Sequence, residues 1–207
     1  MFRSLLMASK LPYKRKLKYL ESTGTQWIDA NTGDIDDTWG YQAETSQPDR
    51  GVTSGEAYII GSSITLRQRF FSFGDYHTYW TFGWGARQSN FIGLDNTTTF
   101  ERYPIGSDNY YVHSLNFMDD NTARFSDFSM NLSWEWGSGT TNTTIKLFAS
   151  FGSTLCQGRI KWCKISHGSE IVRDFIPVLD WNDVPCMYDK VSKQRFYNKG
   201  TGSFNYA

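Results

Sequence analysis

The side chains of this sequence that could do chemistry begin with a single acid between two tryptophans. Glu135 lies between Trp134 and Trp136, and an aromatic ring beside an acid is typical of sugar sites. Glycoside hydrolysis needs a second carboxyl about 5 to 5.5 Å away in retaining enzymes and about 6.5 to 9.5 Å away in inverting ones. Acids two residues apart on a strand share a face, but these positions are Ser133 and Gly137. We therefore expect no catalytic residues and no enzymatic activity.

Candidate metal ligands are scattered along the chain. None of the three histidines has a second His or Cys at metal-ligand spacing. Asp34, Asp36 and Asp37 lie together beside Gly33, and a flexible loop of carboxylates could hold Ca²⁺. Their spacing matches no calcium motif, and the neighbouring residues favour a solvated turn. The sequence predicts no metal and no cofactor, with calcium at this loop as the alternative.

Aromatic residues are the strongest chemical signal. The chain has 8 Trp, 12 Tyr and 15 Phe residues, and most of them must fill a core because aromatic side chains bury large areas. A few exposed rings could instead stack on the apolar face of a sugar. The candidate glycan-binding residues are Tyr76, Tyr79, Trp80, Trp84, Trp134 and Trp136. Each of them is also a candidate core residue.

Charge is unevenly distributed, although the 21 basic and 21 acidic residues balance. The basic residues that precede the first acid, Glu21, are Arg3, Lys10, Lys14, Arg15, Lys16 and Lys18. The rest of the chain has 15 basic and 21 acidic residues, a balance of −6. A basic segment ahead of an acidic body can dock on an acidic partner, and a solvated tail is the alternative. We predict that residues 1–16 form an anchoring arm and residues 17–207 one domain.

Three cysteines, Cys156, Cys163 and Cys186, cannot all pair within the chain. We interpret them as buried thiols of a protein assembled in a reducing cytoplasm, with a Cys156–Cys163 disulfide as the alternative. The apolar residues 5–8 are too few for the core of a secretion signal. No apolar run approaches the roughly 20 residues of a membrane-spanning helix. We expect neither membrane insertion nor a nucleic-acid partner.

Short alternating segments separated by turns rich in Gly, Thr, Ser and Asn predict about a dozen strands and no sustained helix. In one hairpin, Ile160 and Trp162 should face one side and Cys163 the other. Gly168 allows its turn because glycine adopts a positive φ without strain. Pro177 lacks an N–H donor, so it should end the second strand or lie on an edge. The pattern predicts an all-β, antiparallel β-sandwich, a jelly roll with its first and last strands side by side.

Motifs near both ends of the chain carry a resemblance. They are residues 19–29 (Tyr-Leu-Glu-Ser-Thr-Gly-Thr-Gln-Trp-Ile-Asp), 158–165 (Gly-Arg-Ile-x-x-Cys-Lys-Ile), 172–178 (Val-Arg-Asp-Phe-Ile-Pro-Val), 187–189 (Met-Tyr-Asp) and 196–202 (Phe-Tyr-Asn-x-Gly-Thr-Gly). With them the sequence resembles the concanavalin A-like (laminin-G-like) jelly-roll domains of phage structural proteins and gut-bacterial proteins. The resemblance spans residues 19–204, with a divergent middle.

This resemblance implies a bacteriophage virion protein: a head or tail fibre, decoration or receptor-contacting subunit for host attachment, assembled in the host cytoplasm. Its partners would be other virion proteins (capsid, fibre or tail), and further copies of itself, such as a trimer at the end of a fibre. The lectin-like fold and the aromatic residues suggest binding of bacterial surface polysaccharide. One alternative is a bacterial lectin-like carbohydrate-binding module. Another is a glycoside hydrolase of the same fold, with Glu135 as its candidate acid.

Overall fold

The structure is a computed structural model that describes residues 11–36, 38–46, 56–65, 68–76, 79–84, 111–117, 122–127, 131–135, 140–141, 143–149 and 155–207. Within these ranges all the regular elements are β-strands, and no helix is present that has the length and apolarity to cross a membrane. In chain order the strands are β1 (Arg15–Lys16), β2 (Leu20–Thr23), β3 (Ile28–Asp29), β4 (Ile35–Asp36), β5 (Trp39–Ser46), β6 (Glu56–Thr65), β7 (Gln68–Tyr76), β8 (Tyr79–Trp84), β9 (Tyr111–Phe117), β10 (Thr122–Asp127), β11 (Asn131–Glu135), β12 (Thr140–Thr141), β13 (Lys146–Leu147), β14 (Gln157–His167), β15 (Glu170–Leu179), β16 (Pro185–Asp189), β17 (Arg195–Phe196) and β18 (Asn205–Tyr206).

The strands form two larger antiparallel sheets and one pair. The first sheet has the order β11-β10-β9-β5-β14-β15-β16-β17, with β2 beside β14, β18 beside β2 and β1 beside β15. The second has the order β3-β13-β6-β7-β8, and β4 pairs with β12. One apolar cluster contains Tyr41 and Phe175 of the first sheet with Ile28, Ile60 and Leu147 of the second. The core therefore lies between two packed sheets, which confirms the predicted all-β sandwich.

The prediction for the faces of β14 is wrong beyond Ile160. A β-bulge lies between Ile160 and Trp162 in the pairing with β5. A bulge adds one residue to a strand and so reverses the inside–outside phase of the residues after it. Ile160 and Cys163 are both fully buried, whereas Lys161 and Trp162 are half-buried neighbours on the outer side. Trp162 thus leaves the core face that simple alternation assigned to it.

The prediction for Pro177 is also wrong. Strand β15 continues to Leu179, and Pro177 lies opposite Met187 of β16. The carbonyl oxygen of Pro177 accepts a hydrogen bond from the backbone N of Leu17, at 2.9 Å. In an antiparallel strand the N and O of one residue point to the same neighbour. The missing N–H of Pro177 therefore faces the N-terminal segment, and the ladder between β15 and β16 loses no donor.

The last residues of the predicted arm are part of the sandwich. Strand β1 pairs with β15, and Tyr13 packs edge-on against Tyr188, with ring centroids 5.2 Å apart. The edge of β15 beyond Phe175 is available to β1 because β14 stops pairing with β15 at Phe175, before the residues that pair with β1. An anchoring arm stays a prediction for residues 1–10, which lie outside the described residues.

Two further sequence predictions are confirmed. The last strand, β18, pairs with β2, so the two ends of the domain lie side by side. All three cysteines are free and buried, which leaves no Cys156–Cys163 disulfide. Burial raises the pKa of Cys186 to about 12 and raises that of Cys163 as well, so both thiols stay protonated at neutral pH.

Gly200 is a position where we predict that any side chain is costly. A Cβ there would overlap the carbonyl oxygen of Thr25, which accepts the backbone N–H of Thr201 at 3.0 Å. Gly200→Ala should lower the free energy of unfolding by about 2 to 3 kcal/mol, because backbone must move. Urea unfolding followed by tryptophan fluorescence measures it. Gly168→Ala is the control: its φ is +56° with no atom within 4 Å of a new Cβ, so about 1 kcal/mol is expected. A smaller loss at Gly200 than at Gly168 would contradict the prediction.

Candidate functional site

Strands β15, β16 and β17 have apolar residues on both faces. Phe175, Met187 and Phe196 belong to the main core. The opposite face carries a smaller group, which we call the outer cluster: Ile176, Val178, Cys186 and Tyr188, with Tyr13 packed on it. This second burial explains why all five residues of β16 are buried.

A turn at residues 180–184, which we call the Trp181 turn, follows β15 at the border of the outer cluster. One oxygen of Asp180, Oδ1, accepts the backbone N–H groups of Asn182 and Val184, each at 2.8 Å. The other, Oδ2, accepts the hydroxyl of Tyr197 at 3.0 Å. Asp180 is only 2% exposed, whereas the next residue, Trp181, is 45% exposed. A buried carboxylate with three donors therefore fixes a turn that presents a large aromatic ring to solvent.

The protonation of this turn is set by the same contacts. Burial alone would raise the pKa of Asp180, but the hydrogen bonds from Val184, Asn182 and Tyr197, with the nearby charge of Arg195, lower it below its ordinary value. Burial and the hydrogen bond to Asp180 raise the pKa of Tyr197. The carboxylate thus stays ionised and the phenol stays a donor at neutral pH.

The surface of the turn combines aromatic rings with polar groups. Tyr197 is 38% exposed. Its hydroxyl is hydrogen-bonded to Asp180, the residue that precedes Trp181 in the chain. The carboxylate of Asp183 forms an ion pair with Lys14 Nζ at 2.5 Å. The backbone φ of Asp183 is 62°, a value that Asp tolerates in turns. Exposed rings can stack on the apolar face of a sugar while neighbouring polar groups bind its hydroxyls. Chemically, the arrangement is suited to binding.

A second aromatic site lies on the outer side of the first sheet. The carboxylate of Glu44 accepts Lys161 Nζ at 2.6 Å and the indole N–H of Trp162 at 2.9 Å. The bulge makes this possible, because it puts two successive side chains beside one acid. Lys164 Nζ lies 6.0 Å from the centre of the Trp162 ring. This ring is half-buried and partly covered, so it is a weaker candidate than Trp181.

The predicted glycan-binding residues that the structure describes lie on strands of both sheets. Tyr76 lies in β7, and Trp80 and Trp84 lie in β8 of the second sheet. Trp134 lies in β11, in the first sheet. Trp136 is outside the described residues. The candidate set is therefore divided between two sheets.

Glycan binding and core packing both stay predictions for Tyr76, Tyr79, Trp80, Trp84 and Trp134.

Two of the basic residues predicted as an anchor make contacts within the domain. Lys14 binds Asp183, and the guanidinium of Arg15 lies 5.7 Å from the ring centre of Tyr206. Lys16 and Lys18 are exposed, and Arg3 and Lys10 lie outside the described residues. Their role as an anchor stays a prediction.

Of the acidic candidates, Glu135 lies in β11 and Asp36 lies in β4. Glu135 lies opposite Thr122 in the β10–β11 pairing. Asp36 lies opposite Thr140, and Asp37 is not among the described residues. Within the described part of the chain, no group of three or more His, Cys, Asp or Glu side chains could hold a metal ion.

Sequence reasoning did not identify Trp181 or Asp180. The signal was present as an Asp followed two residues later by Asn and then by a second Asp, a composition typical of tight turns. What the sequence does not show is the burial of Asp180, which depends on Tyr197 from a later segment.

A scan against models of known protein families found no match, and a search of curated proteins found none. Among solved structures, the chain is similar to a proposed carbohydrate-binding protein from Bacteroides ovatus ATCC 8483, with a TM-score of 0.56 and 8% identity over 93% of this chain and 60% of that one. It is also similar to the extracellular region of zebrafish Gpr126/Adgrg6, with a TM-score of 0.52 and 12% identity over 93% of this chain and 27% of that one. The chain thus spans less than two thirds of either protein. At these identities the likeness shows the fold alone, an all-β sandwich.

The contribution of Asp180 to stability should depend on pH. Because its pKa is lowered on folding, its stabilising effect is present above the ordinary value of about 3.9 and is lost as the pH falls through the lower, folded value. Asp180→Asn should cost about 1 to 3 kcal/mol at neutral pH, since a buried acceptor is replaced, and should flatten the acid loss of stability. Urea unfolding between about pH 7 and about pH 3 measures both effects.

The matched control for this prediction is Asp183→Asn, the same change in the same turn. Its side chain is 61% exposed, and exposed ion pairs contribute little. Equal losses for the two variants would show that the buried hydrogen bonds of Asp180 do not hold the turn.

Proposed function

We propose that this chain is a non-enzymatic, jelly-roll component of a bacteriophage virion, a fibre, decoration or receptor-contacting subunit that binds bacterial surface polysaccharide. The observation that carries the binding function is the exposed Trp181 on a turn held by the buried carboxylate of Asp180. The virion setting is supported by the resemblance of the motifs at both ends of the sequence to those of phage structural proteins.

Preorganisation is the physical reason that the Trp181 turn suits a sugar. The backbone of the turn is already held by Asp180, so less conformational freedom is lost when a ligand binds. The hydroxyl of Tyr197 is occupied by Asp180, so the exposed part of Tyr197 offers mainly its ring. A single stacking site of this kind binds weakly, and several copies in a homo-oligomer such as a trimer would raise the avidity for a repeating polysaccharide.

The same turn argues for binding without catalysis. A general acid of a glycosidase needs a raised pKa so that it carries a proton near neutral pH. The pKa of Asp180 is lowered, and both of its oxygens accept hydrogen bonds from the protein. Asp183 is held by Lys14. Neither acid is suited to donate a proton to a glycosidic oxygen.

A second candidate function is a bacterial lectin-like carbohydrate-binding module. The similarity to a proposed carbohydrate-binding protein from Bacteroides ovatus favours it. The two proposals share glycan binding and differ in where the protein works, so the presence of the chain in purified phage particles separates them.

Removing the exposed ring should weaken glycan binding. Trp181→Ala should lower the affinity for a polysaccharide fragment selected on a glycan array by at least about tenfold, because central aromatic contacts dominate small interfaces. Isothermal titration measures the affinity. Ile171→Ala is the control, since Ile171 is 44% exposed but lies near the start of β15, at the end away from the turn, and the affinity of this variant should be unchanged. Equal affinity for both variants would exclude the Trp181 turn, and no binding by the unaltered protein at about millimolar sugar would leave a structural role only.

Deleting residues 1–10 should separate anchoring from folding. We expect the unfolding midpoint to stay unchanged, because the contacts of Tyr13, Lys14 and β1 remain. Incorporation into phage particles, measured by mass spectrometry of purified virions, should be lost if residues 1–10 form the anchor. Trp181→Ala should incorporate normally. Full incorporation of the shortened chain would exclude this anchor.

A further inference from the structure

Positive charges from two separate segments border the outer cluster and the Trp181 turn. Lys16 of β1 pairs with Val178, a residue of the outer cluster. Arg195 of β17 pairs with Tyr188 of the same cluster. Directly opposite residues in an antiparallel pair lie on the same face. The fold therefore brings cations that are about 180 positions apart in the chain to one face.

Arg195 is the cation best placed for a ligand. It is exposed, and its guanidinium makes no hydrogen bond or ion pair with any of the residues that the structure describes. It lies two residues before Tyr197, about 7 Å along an extended chain. Tyr197 in turn is hydrogen-bonded to Asp180 of the turn, and the positive charge of Arg195 contributes to lowering the pKa of Asp180.

The acids at this surface leave that charge available. Both oxygens of Asp180 are occupied by backbone and phenol donors, and the residue is buried. Asp183 is engaged by Lys14. Arg195 therefore has an exposed guanidinium on the face of the outer cluster, two residues from the exposed Tyr197, and no carboxylate among the described residues is bound to it.

We infer that the Trp181 turn and Arg195 together bind an acidic saccharide, one whose sugar rings carry carboxylates, as in a polyuronate. Arg195 would bind the carboxylate and Trp181 would stack on the ring. A guanidinium suits this role because its planar donors match the two oxygens of a carboxylate. The inference rests on the proposed glycan-binding function and narrows its ligand class.

The test compares an oligogalacturonate with its methyl ester, which has the same sugar rings without the charge. The unaltered protein should bind the acid at least about tenfold more tightly than the ester, because a charged hydrogen bond is lost in the ester. Arg195→Gln should remove most of that difference, while Arg195→Lys should retain part of it. Affinity for the acid should also fall with increasing salt in the unaltered protein and vary little in Arg195→Gln.

The control variant is Lys146→Gln, which removes one positive charge beside Trp27 in the second sheet and should leave the preference for the acid unchanged. Equal affinity of the unaltered protein for acid and ester, abolished in both cases by Trp181→Ala, would overturn the acidic-saccharide inference and leave the proposed glycan binding standing. Failure to bind either ligand, or any neutral glycan of an array, would overturn both. A preference for the acid that persists in Arg195→Gln but is lost in Lys146→Gln would also overturn the inference.

Discussion

Strand β14 is the element on which the rest of this sandwich depends, because three strands pair with it along two edges. Strand β5 follows one edge, while β2 and then β15 share the other. Paired strands lie about 4.8 Å apart, so β2 and β15 cannot both occupy the same stretch of this edge. Each therefore pairs with its own part of β14 and turns away from it elsewhere. The divergence leaves a place for β1 beside β15 and brings β18 to the free edge of β2. At Gly158 a Cβ would lie 2.8 Å from Ile59 Cδ1 of the facing sheet, so the missing side chain lets the two layers pack closely there.

The candidate site is a consequence of that divergence. Once β15 leaves β14, the N-terminal segment covers its outer face, with Tyr13 on the outer cluster and Lys14 on Asp183. Strand β15 then ends in the Trp181 turn, at the border between this cover and solvent. Beyond the end of the strand, the buried carboxylate of Asp180 accepts the backbone N–H groups of Asn182 and Val184, which have no strand partner. These hydrogen bonds hold the turn in place of strand pairing. The result is an exposed ring on a turn whose backbone is held in place.

Fold and site carry different weight in assigning a function. The sandwich is shared with proteins of under 15% identity that are much longer than this chain, and one fold hosts many functions. Asp180 has a lowered pKa and filled hydrogen-bonding capacity, which suits a structural carboxylate more than a proton donor. The proposal that this chain recognises a saccharide therefore rests on Asp180, Trp181 and Arg195 and not on the architecture.

The sequence by itself determined the all-β class, the hairpin turn at Gly168 and the burial of the three thiols, because alternation, glycine and apolar character act locally. Only the tertiary structure decided the faces of Trp162 and Cys163, since a bulge is defined against β5. It also decided that Pro177 is tolerated inside β15, since that depends on which neighbour faces its nitrogen. The Trp181 turn needs Tyr197 to reach Asp180 across 17 positions. Contacts between residues far apart in the chain produce no periodic pattern in the sequence. For that physical reason the site could be identified only from the folded structure.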